Sequence, residues 1–338
     1  MGKLSYIARR LLLAIFVFFG VALITFILTH SISDNPLVAF LGKAASMHPE
    51  IAQAYIERFH LNEPIHVQFW YYIVGVVQGD LGYSWSRGTY VSNIIAQTLP
   101  NTLQIVFFAL LITLALGIPL GILSCRYSNK LPDYGIRAFY LAGISSPAFF
   151  VALILLLVFT YTLHLLPTGG LISLGVPKPK SITGFIILDS LLEGNWEAFV
   201  DTIKHVLMPS MALALGNFGY VTRVLRSSLL EVMQTNYIRT ARAKGLDERT
   251  VFLKHALRNG LMPIVTLTAL ITTWLMGSSI FVESIFAYPG VGQYLAQALG
   301  SLDYAAILGV TLLYTTIIVV VNLAADILYS VLNPAIEL

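Results

Sequence analysis

An all-α integral membrane protein with six transmembrane helices is the fold class this sequence predicts, and three observations predict it. Of its 338 residues, 57% are hydrophobic and only 11% charged, less than half the roughly 25% charged residues of a soluble domain. Apolar runs near the roughly 20 residues needed to cross a bilayer recur along the chain. Lysines and arginines collect on alternate connections, the pattern that orients a multi-pass protein. The net charge of +3 therefore reports orientation rather than nucleic-acid binding. A single cysteine, Cys125, excludes an intrachain disulfide and a cysteine-rich metal site. No Walker-type phosphate loop, HExxH, GxSxG or paired metal spacing is present, so the chain offers no catalytic residue and no metal site.

The elements follow in order. Lys3, Arg9 and Arg10 precede the apolar run Leu11 to Leu28. No small-residue cleavage site follows it, so residues 1–30 read as a cytoplasmic N-terminus and an uncleaved first helix. Residues 31–98 are mixed and polar, long enough for a sizeable extracytoplasmic subdomain between helices 1 and 2. Within it, Ala52, Tyr55, Ile56 and Phe59 recur at helical spacing and predict a short helix over Pro49 to His60. Asp80 lies between glycines, where a carboxylate more often closes a turn than holds a metal. The core, 99–338, carries the other spans. Span two runs from Pro100 to Ser124, before the inner charges Arg126, Lys130 and Arg137. Span three runs from Phe139 to Leu163, with Pro147 kinking or restarting it. Pro167 to His205 is outside, and Ile186 to Leu192, interrupted by Asp189, reads as an amphipathic surface helix. Spans four, five and six cover Val206–Leu230, Ile264–Val282 and Ala305–Tyr329, leaving both termini inside. His30, His164 and His205 fall at outer span ends as interfacial polar residues.

The inner connection 231–263 has its own local signals. Asn236 is placed to cap a short helix through Ala241 and Ala243 that stops at Gly245. Arg242 and Lys244 suit the negative end of its dipole. Asp247 caps a second helix, with Leu246 placed to pack on Val251 as a hydrophobic staple, and Pro263 closes it. On charge alone, such a loop is either a topology determinant beside lipid headgroups or a compact knob that another protein approaches.

The run RTARAKGL, followed by KHALRN and a proline, resembles the cytoplasmic "EAA" loop of ATP-binding-cassette (ABC) importer permeases, in the dipeptide, oligopeptide and nickel permease family. Thr240, Ala241 and Arg242 stand where the general loop has Glu-Ala-Ala, and Gly245 is kept. Gly79-Asp80-Leu81-Gly82, the words SSPAFF and LLPTGG, and Tyr288-Pro289-Gly290-Val291-Gly292 between Glu283 and Asp303 are similar to the family's pattern in the same order. Asn322, Asp326 and Tyr329 also fit, while Asn333-Pro334-Ala335 replaces the more usual Asp-Pro-Arg.

The resemblance implies a type I importer permease fold in the cell membrane. It implies a heterodimer with a second homologous permease, two ABC ATPase subunits, and an extracytoplasmic solute-binding protein. This chain then binds no cofactor itself, ATP and Mg belonging to the partner ATPases. The ATPase-coupling residues are Arg239, Thr240, Ala241, Arg242, Lys244, Gly245, Leu246, Val251 and His255. Asn217, Tyr220, Thr268, Thr272 and Ser279 are polar positions on spans four and five that either line the pathway or bond between helices. Peptide is the leading solute, with oligosaccharide or nickel as alternatives. A secondary carrier driven by an ion gradient is the reading from another class, and it needs ionisable groups near mid-membrane.

Overall fold

The computed structural model describes residues 3–32 and 60–332, with 50, 53, 56 and 57 between them. Helices dominate, since in hydrocarbon only a helix or a closed barrel satisfies every backbone donor and acceptor internally. Among the described residues, four helices are long and apolar enough to cross a membrane: Val91–Arg126, Trp196–Leu215, Met262–Ile285 and Tyr304–Ala325. The bent pair Leu131–Ser145 and Ala148–Thr162 makes a fifth crossing if it is one span. The first helix, α1 (Lys3–Ile32), has a shorter described apolar stretch, Ile15–Leu28. The expected six spans are therefore not reached on this count. The expected helix over Pro49 to His60 lies largely outside the described residues.

The chain divides into two compact units. One takes in the chain up to Thr102 together with Pro289–Val320. Here α1 packs on an apolar helix that the periodicity did not announce, α2 (Ile65–Val77), where buried Phe26 meets Phe69 and Tyr72 at ring-centroid distances of 5.3 and 5.6 Å. Asp80 closes a turn as expected, accepting from the Gly82 N–H at 3.1 Å. A two-stranded hairpin follows, β1 (Tyr83–Ser84) against β2 (Thr89–Tyr90). It leads directly into α3 (Val91–Arg126), which starts at Val91 rather than Pro100. Asp303, between α13 (Val291–Ser301) and α14 (Tyr304–Leu332), holds the hairpin. This buried carboxylate accepts from Ser84 Oγ at 2.6 Å, Ser86 Oγ at 2.7 Å and the Ser86 N–H at 3.1 Å, and it caps α14 through the Ala306 N–H at 3.2 Å.

The other unit holds Leu103–Tyr288 and resumes at Val321. Span three is broken rather than kinked. Helix α4 (Leu131–Ser145) and helix α5 (Ala148–Leu155), which continues as a π-helix over Leu156–Thr162, meet at 103°. Pro147 forces Ser146 into an extended conformation (ψ 121°) and supplies no N–H to continue the ladder. The expected surface helix is α6 (Ile186–Glu193), but Asp189 is buried in it and is no water-facing interruption. It accepts from the Thr183 N–H at 2.7 Å, Thr183 Oγ1 at 2.6 Å and the Gly184 N–H at 3.2 Å. Burial pushes its carboxyl up, and these bonds outweigh burial and hold it below the ordinary range.

Span four is also redrawn. Helix α7 (Trp196–Leu215) begins well before Val206, and a separate helix α8 (Phe218–Val232) follows. Asn195 caps α7, accepting from the Ala198 N–H at 3.0 Å. Asp201 and His205, which looked like loop residues, are accommodated within the helix. Asp201 accepts from the Ser173 N–H and Oγ at 2.7 and 2.8 Å, and His205 is buried with Nδ1 at 2.9 Å from the Asp201 carbonyl. In α3 and α8 a small residue permits close helix contact: a Cβ on Gly117 would lie 2.6 Å from Val221 Cβ. Span five is α12 (Met262–Ile285), close to its expected bounds.

Candidate functional site

The stretch between α8 and α12 is a folded corner. Helix α9 (Asn236–Ala243) starts one residue earlier than its expected cap allows, and Thr235 takes the N-cap position with extended backbone. Thr235 contributes no side-chain cap, because its Oγ1 donates back to the Val232 carbonyl at 2.6 Å. The end of α9 is the glycine stop read from sequence, now with a full set of closing bonds. Gly245 has φ +79°, its N–H donates to Arg242 O at 2.9 Å, and the Leu246 N–H donates to Ala241 O at 3.4 Å. That 5→2 and 6→1 pair is a Schellman motif, satisfying two orphan carbonyls of α9.

The second arm is α10 (Glu248–Thr250), a π-helix over Val251–Ala256, and α11 (Leu257–Gly260). A continuous α-helix was expected; one wide turn is inserted, a feature common where helices carry function. Asp247 is the cap, accepting from the Thr250 N–H at 3.0 Å. The hydrophobic staple is absent in the form expected. Val251 is buried with Ile238, Ala241 and Ala256, joined by Val232 and Met233, while Leu246 is 39% exposed and outside that cluster. The two arms are therefore held by α9's apolar side. Asn259 Nδ2 adds a tie to Tyr237 Oη at 2.8 Å.

Arg242 reaches across the corner to Glu248, Nε to Oε1 at 2.6 Å and Nη2 to Oε2 at 3.2 Å. The guanidinium holds the Glu248 carboxyl below the usual range, and the carboxylate raises Arg242 in turn. Sequence reading missed this pair; the signal was an acid six residues past an arginine across a glycine stop. Arg239, Thr240, Lys244 and Gly245 are exposed on the outside of the corner, Ala241 is buried beneath it, and His255 is half-buried on the second arm. A Cβ on Gly245 would meet nothing within 4 Å, so the space before it is open.

Arg226, one turn and a half before the end of α8, is not a free basic charge. It pairs with the buried Asp133, Nε to Oδ1 at 2.9 Å and Nη2 to Oδ2 at 2.7 Å. Ser124 Oγ and the Asn129 N–H also donate to that carboxylate, the latter at 2.9 Å. The end of α3, the start of α4 and the middle of α8 are thereby tied together.

None of the five polar positions of spans four and five forms a side-chain hydrogen bond to another helix among the described residues. Asn217 Nδ2 donates to Leu213 O at 2.8 Å, and Thr268, Thr272 and Ser279 donate to Ile264 O, Thr268 O and Met276 O at 2.7, 2.8 and 2.9 Å. Asn217 and Ser279 are buried, whereas Thr268, Thr272 and Tyr220 are half-buried. Tyr220 packs against Trp274 at 5.1 Å between ring centroids, with Arg223 over its ring at 5.8 Å. Each of these hydrogen bonds stays within the residue's own helix or helix junction, which satisfies a polar group in an apolar setting without a partner helix.

Comparison with known proteins fits this architecture. Residues 117–338 match the family described as binding-protein-dependent transport system inner membrane component, and residues 3–106 match the N-terminal part of such components. The chain is 38% identical over 317 residues to the probable D,D-dipeptide transport system permease protein of Escherichia coli, covering 94% of this chain and 93% of that one. It is 36% identical over 338 residues to the dipeptide transport system permease protein of Alkalihalophilus pseudofirmus, with 99% of each covered. An inward-facing conformation of the MetNI methionine ABC transporter shares the fold, with a TM-score of 0.53 at 14% identity over 71% of this chain and 96% of that chain. The chain belongs to the binding-protein-dependent inner membrane components, the ABC importer permeases, in the family that includes these dipeptide permeases.

Proposed function

We propose that this chain forms, with a second homologous permease, the pathway through which an ATP-driven importer takes up short peptides handed over by an extracytoplasmic binding protein. Two ABC ATPase subunits carry ATP and Mg, and the corner at Gly245 is where one of them docks. Both termini and the corner lie on the cytoplasmic side. The observation that carries this reading is the corner itself: a closed, glycine-stopped knob with an open approach and an exposed basic rim. The names of the relatives support peptide as the solute.

ATP binding closes the ATPase dimer, draws the two docked corners together and favours an outward-facing pathway; hydrolysis releases that state. A corner transmits such motion only if it moves as a body, and the Schellman bonds, the Asp247 cap and the Arg242–Glu248 clamp make it one. Affinity purification from native membranes, followed by reconstitution, tests the proposal. Recovery of a second permease and ATPases, with ATP-dependent peptide uptake, is the expected result. Recovery of the chain alone with ion-driven uptake overturns the importer, and ATP-driven uptake of an oligosaccharide overturns only the solute.

A further inference from the structure

Beside the corner lies a cavity of about 650 Å³. Leu230 and Met233 from the end of α8 and Phe252 and Leu253 from the second arm form its apolar walls. Its remaining side is the last turn of α3, including Cys125 and Arg126, and Glu248 and Arg249 complete the rim. Glu248 is occupied by Arg242, so its charge is already balanced. Arg126 and Arg249 have no carboxylate partner among the described residues. The result is an apolar groove with two uncompensated cations at its mouth.

Position adds the second argument. Cys125 and Arg126 end a membrane-spanning helix, so the rim sits where hydrocarbon gives way to headgroups. A basic pocket between helices at that depth matches an acidic lipid headgroup, and greasy walls below it match an acyl chain. A free inorganic anion satisfies the arginines but leaves the walls wet. We infer that this groove is a binding site for an anionic phospholipid, its phosphate between Arg126 and Arg249 and a chain along Met233 and Phe252. That the rim lies in the cytoplasmic leaflet rests on the orientation proposed above; the site itself does not.

The chain carries its own reporter, because its one cysteine lines the groove. The test titrates phosphatidylglycerol, phosphatidylcholine or inorganic phosphate into the detergent-purified full chain, with whatever subunits accompany it, and follows maleimide alkylation of Cys125. Phosphatidylglycerol is expected to slow alkylation far below the other two. In the double variant Arg126→Gln/Arg249→Gln its half-protecting concentration should rise roughly 30-fold, at about 1 kcal/mol per arginine. Equal protection by phosphatidylcholine means an unselective greasy contact, protection by phosphate alone means a free-anion site, and no lipid protection means that no lipid occupies the groove; each overturns the proposal. The wild-type comparison of lipids decides the matter even if the double variant fails to fold.

Discussion

Two arginine–carboxylate pairs in the same unit have the same chemistry and different physical roles. Arg226 on Asp133 and Arg242 on Glu248 are both two-point contacts, with closest approaches of 2.7 and 2.6 Å. Asp133 is fully buried and fed by Ser124 and the Asn129 backbone, whereas the Glu248 side chain is 68% exposed and has only Arg242. In the buried pair, deleting one partner strands a charge in a medium that cannot solvate it. In the exposed pair water takes over, so little stability is lost and only the shape of the corner suffers. The base of the loop is held by a buried pair and its tip by a solvent-exposed one, so loss of the tip pair leaves the helices beneath intact.

Breaking the buried pair should have the largest effect. Asp133→Ala is expected to cost about 3 kcal/mol or more, read as a lowered melting temperature of the purified protein, and the apolar double replacement Asp133→Leu/Arg226→Met should recover part of it. An unchanged melting curve for Asp133→Ala would erase the distinction between base and tip.

Two glycines sharpen the same contrast. At Gly169 a Cβ would lie 1.8 Å from the Phe286 carbonyl oxygen, where the Gly170 N–H donates at 2.9 Å. Gly169→Ala must therefore shift backbone, at roughly 2 kcal/mol of overpacking cost, and should also lower the melting temperature. Gly245 has empty space before it, so Gly245→Val pays only for its left-handed backbone, roughly 1–2 kcal/mol. That cost is local. Melting should fall no more than for Gly169→Ala while ATP-driven uptake in reconstituted membranes falls sharply; full uptake by this variant would remove the corner from the coupling role.

The smallest effect belongs to Glu248→Gln, which should leave melting unchanged and speed amide hydrogen exchange at Gly245 and Leu246. Acidification provides the same test without mutation. The folded carboxyl of Glu248 titrates below its unfolded value, so the pair's contribution is complete above about pH 4.3 and is lost as pH falls through the lower folded value. Protection at the corner, taken relative to intrinsic exchange at each pH, should fall in that acid window in the wild type and not in Glu248→Gln.

The corner was readable because its signals are local: a glycine at a helix end, an aspartate three residues before the N–H it caps, small residues on one side. Its errors were also local competitions. Thr235 displaced Asn236 by one position, and Val251 found Ile238 and Ala241 rather than its neighbour Leu246. The start of α7 was unreadable for a different reason. Asp201 read as part of the outer connection because its donor, Ser173, lies 28 residues away in the chain, while Asp189 read as an interruption because the Thr183–Gly184 turn that feeds it is formed only on folding. The pathway candidates were visible as polar residues in apolar helices, yet polarity does not say whether a hydroxyl faces a pathway or its own helix backbone.

The sequence by itself determined that this chain is a helical membrane protein and where its basic loop folds back at Gly245, because hydrophobic length, capping and glycine conformation act within a few residues, while its ordered motifs carried the resemblance to one transport family. Only the tertiary structure decided that span three breaks by 103°, that Arg226 partners the buried Asp133 while Arg242 forms an exposed clamp, and that Asp303 holds the hairpin before α3. These depend on which distant groups meet, and the cost of a buried charge or an unmade hydrogen bond is set by that meeting rather than by the residue's own neighbours in the chain.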